Sequence, residues 1–204
     1  MSSTPSSPRR GRPPSIAAED ILAMAGRRLG TPWTMASIAG ELGVSEAAIY
    51  YYFASKAAVL EALGARVVAA FRLPQYHGDW RAWLLGVADA YYQLLLQHPF
   101  LLDNRSWLEL GAPTSHWAET VLATLKRAGF KPVDGFYVFS AVAAVCLEFA
   151  KVAVAQNEAG AVAQDLSTTP TLGEIVKDLG DRGPYEHLRS ALAVILEGAS
   201  SLQH

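Results

Sequence analysis

The sequence predicts an all-α protein in which a small N-terminal three-helix domain with a helix-turn-helix precedes a larger helical domain. Three observations predict it. Apolar residues recur at spacings of three and four along most of the chain, and no stretch alternates as a half-buried strand would. Near the N-terminus, two short amphipathic segments are separated by a four-residue turn that contains Gly43. Finally, 204 residues that are 51% apolar and 18% charged can build a core in a body of about 150 residues plus a small appended domain.

Residues 1–14 are rich in Ser, Pro and Arg, bury too little to offset chain entropy and read as a flexible arm. Ser15 is the expected cap of a first helix reaching about Leu29, with Glu19 and Asp20 near its positive end and Ile21, Leu22, Ala25 and Leu29 as its buried stripe. Gly30, Thr31 and Pro32 end it. Thr34 caps a second helix carrying Met35, Ile38, Ala39 and Leu42 at i, i+3, i+4 and i+7, and Gly43 supplies the left-handed turn. Ser45 caps a third helix. Ser55 opens a fourth, with Leu60, Leu63, Val67 and Phe71 on one face, ending near Leu73 and Pro74. The divisions are thus an arm (1–14), a helix-turn-helix domain (15–54), a connecting helix (55–73) and a large domain (74–204). In the last, helical periodicity covers 80–97, 100–110, 115–128, 133–157 and 185–199, with a short helix over 171–179.

Charge narrows the partners. Residues 1–56 hold six Lys/Arg against four Asp/Glu, whereas residues 57–204 hold eleven against fifteen. The positive excess sits in Arg9, Arg10 and Arg12, so a polyanion meets the N-terminus first, unless the arm is only a solvated tail. Cys146 is the single cysteine, which excludes an intrachain disulfide, and five scattered histidines lack metal-ligand spacing, so no metal or cofactor is expected. No secretory signal is read, and a cytoplasmic protein is expected. The apolar run 136–155 has bilayer length, but Glu148 and Lys151 inside it favour a core or interface helix over a membrane span.

The segment from Thr34 to Lys56 carries the functional signal. With Ile49 and Phe53 facing the other helices, about 100° per residue turns Ala47 and Tyr51 outward and leaves Ala48 and Tyr50 on the flanks. Ala47 and Ala48 are short enough for close approach to base edges in a DNA major groove, where their methyls meet thymine methyls. Glu46 either accepts from cytosine N4 or only complements the helix dipole. Tyr50, Tyr51 and Tyr52 point over about 200°, so at least one is exposed, and tyrosine hydroxyls suit phosphate contact. Lys56 opposes the dipole of the helix it starts, which calls for a compensating group such as phosphate.

Thr34-Met35, Ile38-Ala39, Leu42-Gly43-Val44, Ile49-Tyr50, Phe53 and Lys56, preceded by Gly11-Arg12-Pro13, together resemble the signature of TetR-like transcriptional repressors over about residues 11–63. The resemblance implies that Thr34, Tyr50, Tyr52 and Lys56 touch phosphates while Glu46, Ala47, Ala48 and Tyr51 face bases. Ser45, at the start of the third helix, is counted with the phosphate contacts, and the arm is expected to enter a minor groove. It further implies that the large domain binds an effector and dimerises, with double-stranded operator DNA, a small apolar effector and a second copy as partners. No membrane is expected among them.

The large domain is rich in aromatics: Trp80, Trp83, Tyr91, Tyr92, Phe100, Trp107, Trp117, Phe136, Tyr137, Phe139 and Phe149. Most belong to an ordinary core. Beside small residues such as Ala143, Ala144 and Ala150 they can also wall a cavity, for which Trp83, Tyr91, Trp107 and Phe139 are candidate walls. Asp103, Asn104 and His116 are candidate polar anchors or else solvated helix ends. Residues 138–154 and 188–199 are expected to form an intermolecular four-helix bundle, with Leu188, Leu192, Ile195 and Ala199 as the row on the last helix. The expected function is a repressor released from a palindromic operator by its effector. An activator of the same fold, an enzyme using an apolar cavity, and a nucleoid-type binder are the rivals; no nucleophile-base spacing or phosphate loop favours the enzyme.

Overall fold

The computed structural model describes residues 16–103, 115–159, 168–180 and 182–203. Among these residues the chain is helical without a strand, apart from one isolated antiparallel bridge between Phe130 and Gln203. It forms two bodies that divide between Arg66 and Val67.

The N-terminal body contains α1 (Ala18–Arg27), α2 (Met35–Leu42), α3 (Glu46–Tyr52) and the first part of α4 (Lys56–Ala70). The start of α1 departs from expectation. Ser15 lies outside the described residues and the cap position is Ala17, whose N–H donates to the Asp20 carboxylate at 2.8 Å. An acid at the third helical position thus supplies the reciprocal half of a capping box, while Asp20 N–H donates to Ala17 O at 3.1 Å. Ile21, Leu22 and Ala25 of α1, Met35, Ile38 and Ala39 of α2, and Ile49 of α3 are buried, and α2 packs on both α1 and α3. Each large aliphatic side chain removed from water contributes about 1.5–3 kcal/mol, which far outweighs the exposed ion pairs Arg28 with Glu41 and Arg66 with Glu19.

Helix α4 stops at Ala70, short of the expected Leu73. Arg72 folds back so that its Nη1 donates to the carbonyls of Ala69 (2.7 Å) and Phe71 (3.1 Å), satisfying acceptors that the helix end leaves open. Pro74 also disfavours helical geometry at Leu73.

The C-terminal body contains α5 (Trp80–Gln97), α6 (Phe100–Asp103), α7 (Ser115–Arg127), α8 (Pro132–Ala159), α9 (Pro170–Leu179) and α10 (Pro184–Ser200). The expected helix over 100–110 is described only as α6, and its remainder lies outside the described residues. Asp79 caps α5 by accepting from the N–H groups of Arg81 (2.9 Å) and Ala82 (3.1 Å). Helix α8 is central and packs against α5, α7 and α10. By length and composition it is apolar enough to cross a bilayer, with a mean hydropathy of 2.0 over an 18-residue window within Pro132–Asn157. Its Val138, Val142, Cys146, Leu147 and Ala150 instead enter the core of this body. Asp89 of α5 accepts from the Tyr185 hydroxyl (3.1 Å) and from Arg189 Nη1 (3.0 Å), tying α10 to the same core.

One expectation changes here. Leu188, Leu192 and Ala199, read as an intermolecular row, are buried together with Leu196 in the protomer's own core, and Ile195 is half-buried. The opposite face is the open one, with Val194 74% exposed. Helical periodicity identifies an apolar row without saying which apolar surface covers it.

Candidate nucleic-acid interface and ligand site

Local hydrogen bonds hold the helix-turn-helix. Thr34 Oγ1 accepts from Ser37 N–H at 3.1 Å while Ser37 Oγ accepts from Thr34 N–H at 3.0 Å, a reciprocal box at the start of α2. Gly43 ends α2 at φ 67°, and Val44 N–H donates to Ala39 O at 3.0 Å. A side chain at Gly43 would strain this left-handed turn. Ser45 Oγ then accepts from Ala48 N–H at 3.3 Å to start α3. Thr34 and Ser45 are therefore caps first. Accepting a bond leaves each hydroxyl its own proton to donate outward.

The burial of Ile49, at 0% exposure, fixes the roll of α3. Opposite it Tyr51 is 83% exposed, with Tyr50 at 48% and Tyr52 at 41%, and Glu46 and Ala47 are also exposed. Ala48 and Phe53 are half-buried. The rings of Tyr51 and Tyr52 meet edge to face with centroids 5.1 Å apart. One seven-residue helix thus brings Glu46, Ala47, Tyr50 and Tyr51 to a single open face, with the small Ala47 at its leading end and the half-buried Ala48 beside it.

Two side chains have partners that sequence reasoning missed. Tyr52 donates its hydroxyl proton to Ile16 O at 2.7 Å, which fixes where the chain enters α1. Lys56 Nζ donates to Trp33 O at 3.0 Å and lies 4.5 Å above the Trp33 ring. The buried Trp33 therefore supplies much of the compensation expected from phosphate, through a carbonyl and a π-face. The ammonium keeps further donors for an anion. Arg9, Arg10 and Arg12 lie outside the described residues.

In the C-terminal body, the candidate ligand residues separate. Tyr91 (α5) and Phe139 (α8) come together on Trp117 (α7), their ring centroids lying 5.8 Å and 5.5 Å from its own. Phe71, just past the end of α4, adds a third ring at 5.8 Å. Trp83 is engaged elsewhere, donating Nε1–H to Pro74 O at 2.8 Å and meeting Tyr76 edge to face. Asp103 and His116 are exposed, and Asn104 and Trp107 lie outside the described residues. Trp117 is the residue that sequence reasoning passed over as ordinary core. It is 8% exposed, and its Nε1–H is the one buried side-chain polar group without a hydrogen-bond partner among the described residues. Such an orphan costs about 1–3 kcal/mol.

An open groove of about 650 Å³ lies elsewhere, lined by Glu119, Leu122, Ala123, Lys126, Arg127 and Pro132; it includes none of the expected pocket residues. Burial shifts two titrating groups, Cys146 in the core and the half-buried His98. Burial pushes the Cys146 thiol up to about 12, helped by the charge of Asp89, and its S–H points at Ala88 O at 3.7 Å. Burial holds the His98 imidazole below its usual value.

Comparison with known proteins agrees with this geometry. Residues 32–63 match the family model described as bacterial regulatory proteins, tetR family. The tetracycline repressor protein class A from transposon 1721 of Escherichia coli is 30% identical over 173 residues, spanning 81% of this chain and 80% of the relative. The class C tetracycline repressor of Escherichia coli is 27% identical over 180 residues, spanning 83% and 82%. Among solved structures, the Streptomyces coelicolor TetR family protein ActR in complex with (S)-DNPA superposes with a TM-score of 0.73 at 15% identity, over 93% of this chain and all of that one. TetR from Acinetobacter baumannii AYE gives 0.67 at 22% identity, over 93% and 99%. Taken together, the capped helix-turn-helix and a relative at this identity across four fifths of both chains mean that the protein belongs to the tetR family of bacterial regulatory proteins.

Proposed function

We propose that the protein is a homodimeric, cytoplasmic repressor that occupies a palindromic operator and is released from it by a small, largely apolar aromatic effector. The observation that carries this reading is the open face of α3, where a buried Ile49 aims Glu46, Ala47 and Tyr51 outward from a helix locked by Thr34, Gly43 and Ser45. In this reading Glu46, Ala47, Ala48 and Tyr51 meet base edges, and Thr34, Ser45, Tyr50, Tyr52 and Lys56 meet phosphates. Tyr52 can donate to a phosphate only once its bond to Ile16 O is exchanged, which makes it the weakest of the set. Arg9, Arg10 and Arg12 reach the adjacent minor groove.

Dimerisation is supported by the open apolar faces of α8, with Val133, Phe136, Tyr137 and Val152, and of α10, with Val194. A two-fold pairing of these faces places two heads on half-sites separated by about one or more helical turns. Effector control is supported by the aromatic cluster around Trp117 and by kinship with proteins named for tetracycline repression. The ligand favours a head separation that fits DNA poorly, so DNA and effector antagonise each other.

Selection of bound DNA from a random pool tests the reading, followed by titration of the winning complex with a library of aromatic compounds. The expected result is an inverted repeat and its release by a subset of the library. Uniform retention of all sequences contradicts operator recognition, and a complex that no compound dissociates contradicts effector control.

A further inference from the structure

The unpaired indole N–H of Trp117 stands out against the other buried tryptophans of its body. Trp80 donates Nε1–H to Gln203 Oε1 at 3.2 Å and Trp83 donates to Pro74 O at 2.8 Å. Trp117 is equally buried, yet its N–H meets no acceptor among the described residues. Folded proteins pair such groups almost always, so the exception calls for an explanation, and a ligand that brings the missing acceptor is one. The surroundings say what kind of acceptor. Phe71 and Phe139 meet the Trp117 ring nearly at right angles, at 78° and 75°, and Tyr91 is tilted by 37°. Three uncharged rings pack on it, so a guest lodged beside Trp117 would meet aromatic surface. None of the three offers a cation to neutralise a carboxylate or phosphate, so a buried anion is disfavoured against a neutral carbonyl-type oxygen.

We infer that Trp117 is the polar specificity determinant of the effector site, donating Nε1–H to the carbonyl-type oxygen of a planar aromatic ligand held among Phe71, Tyr91 and Phe139. This rests on the effector-responsive reading and narrows it to a chemical class. Indole is a donor with no acceptor of its own, so the site rewards an aromatic ketone and gives nothing to the hydrocarbon of the same shape. Discrimination arises because the hydrocarbon leaves the donor orphaned, whereas the ketone satisfies it.

A matched pair of probes tests this on the full-length protein: 9-fluorenone, and fluorene, which has CH₂ where the ketone has C=O. Calorimetric titration of the wild type is expected to give binding at least about tenfold tighter for fluorenone. Trp117→Phe keeps an aromatic ring and removes the donor, so it is expected to bring the ratio to about one, with fluorene binding preserved. Equal binding of both probes by the wild type, or an undiminished ratio in Trp117→Phe, overturns the donor role while leaving a ligand site in place. Binding of neither probe overturns it too, and release of operator by the compound library then decides separately whether the protein responds to effectors at all. Should Trp117→Phe fail to fold, the Trp117 indole N–H resonance of the wild type carries the test. A downfield displacement with fluorenone and not with fluorene is expected, and the same displacement with both overturns the inference.

Discussion

Among the described residues, the large apolar side chains left open in the N-terminal body are the three tyrosines of α3; in the C-terminal body most are aliphatic, with Val133 and Val152 on α8, Leu172, Ile175, Val176 and Leu179 on α9, and Val194 on α10, beside Phe136, Tyr137, Tyr185 and Leu202. The two kinds of exposure have different causes. A tyrosine keeps a polar tip that water satisfies, so Tyr51 can stand almost fully exposed. Rows of aliphatic side chains have no such tip, and their exposure on one protomer favours cover by another. In the proposed reading the head therefore carries its chemistry outward on a short helix, whereas the body carries it inward, around Trp117, and sideways, on faces open to a partner.

Four expectations sharpen or break this contrast, taken from the largest effect to the smallest. The sealed interior of the body predicts that Cys146 is nearly inert. With burial pushing its thiol from 9.0 to about 12, a disulfide reagent at pH 8 is expected to react about a thousandfold more slowly with native protein than with urea-unfolded chain. Prompt native labelling would mean that the core around α8 opens readily. Next, Val194→Glu puts two carboxylates into a two-fold interface if α10 pairs with its mate. Sedimentation should then show a monomer, with operator affinity down at least about a hundredfold while helix content is unchanged. A dimer that persists would move the interface off this face.

The head is expected to respond locally. Lys56→Ala should weaken every DNA sequence about tenfold and reduce the slope of log affinity against log salt by about one, because one phosphate contact is lost. An unchanged slope would leave Lys56 only its bonds to Trp33. Thr34→Ala removes half of the reciprocal cap of α2 and should cost about 1 kcal/mol in denaturant unfolding, with Thr34→Ser restoring most of it. No loss on Thr34→Ala would mean that packing of Met35 and Ile38 alone starts the helix.

The contrast also explains what the sequence made legible. Thr34, Gly43 and Ser45 act through partners three to five residues away, so caps and turn could be read directly, and the buried Ile49 then set the roll of α3. Contacts that close over longer separations were not legible. Lys56 meets Trp33 across 23 residues and Tyr52 meets Ile16 across 36, and no periodicity announces either. The start of α1 escaped because its cap residue, Ala17, has no capping side chain and is held only by Asp20 accepting from its N–H, and the end of α4 because Arg72 turns back on its carbonyls. In the body, spacing showed that α10 has an apolar row but assigned Leu188 and Leu192 to a second copy rather than to their own core. Composition named Trp117 as one aromatic among many. Its missing acceptor depends on the positions of α5, α7 and α8 together.

The central claim is that the exposed face of α3 reads DNA sequence, and Tyr51→Ala tests it most directly. Because Tyr51 is 83% exposed, its removal should change stability by no more than about 0.5 kcal/mol. Selection from a random DNA pool, run in parallel with wild type and Tyr51→Ala, is predicted to return inverted repeats that differ at the same position in both half-sites. Recovery of the same sequence by both proteins, with the same base preferences at every position, would contradict the claim.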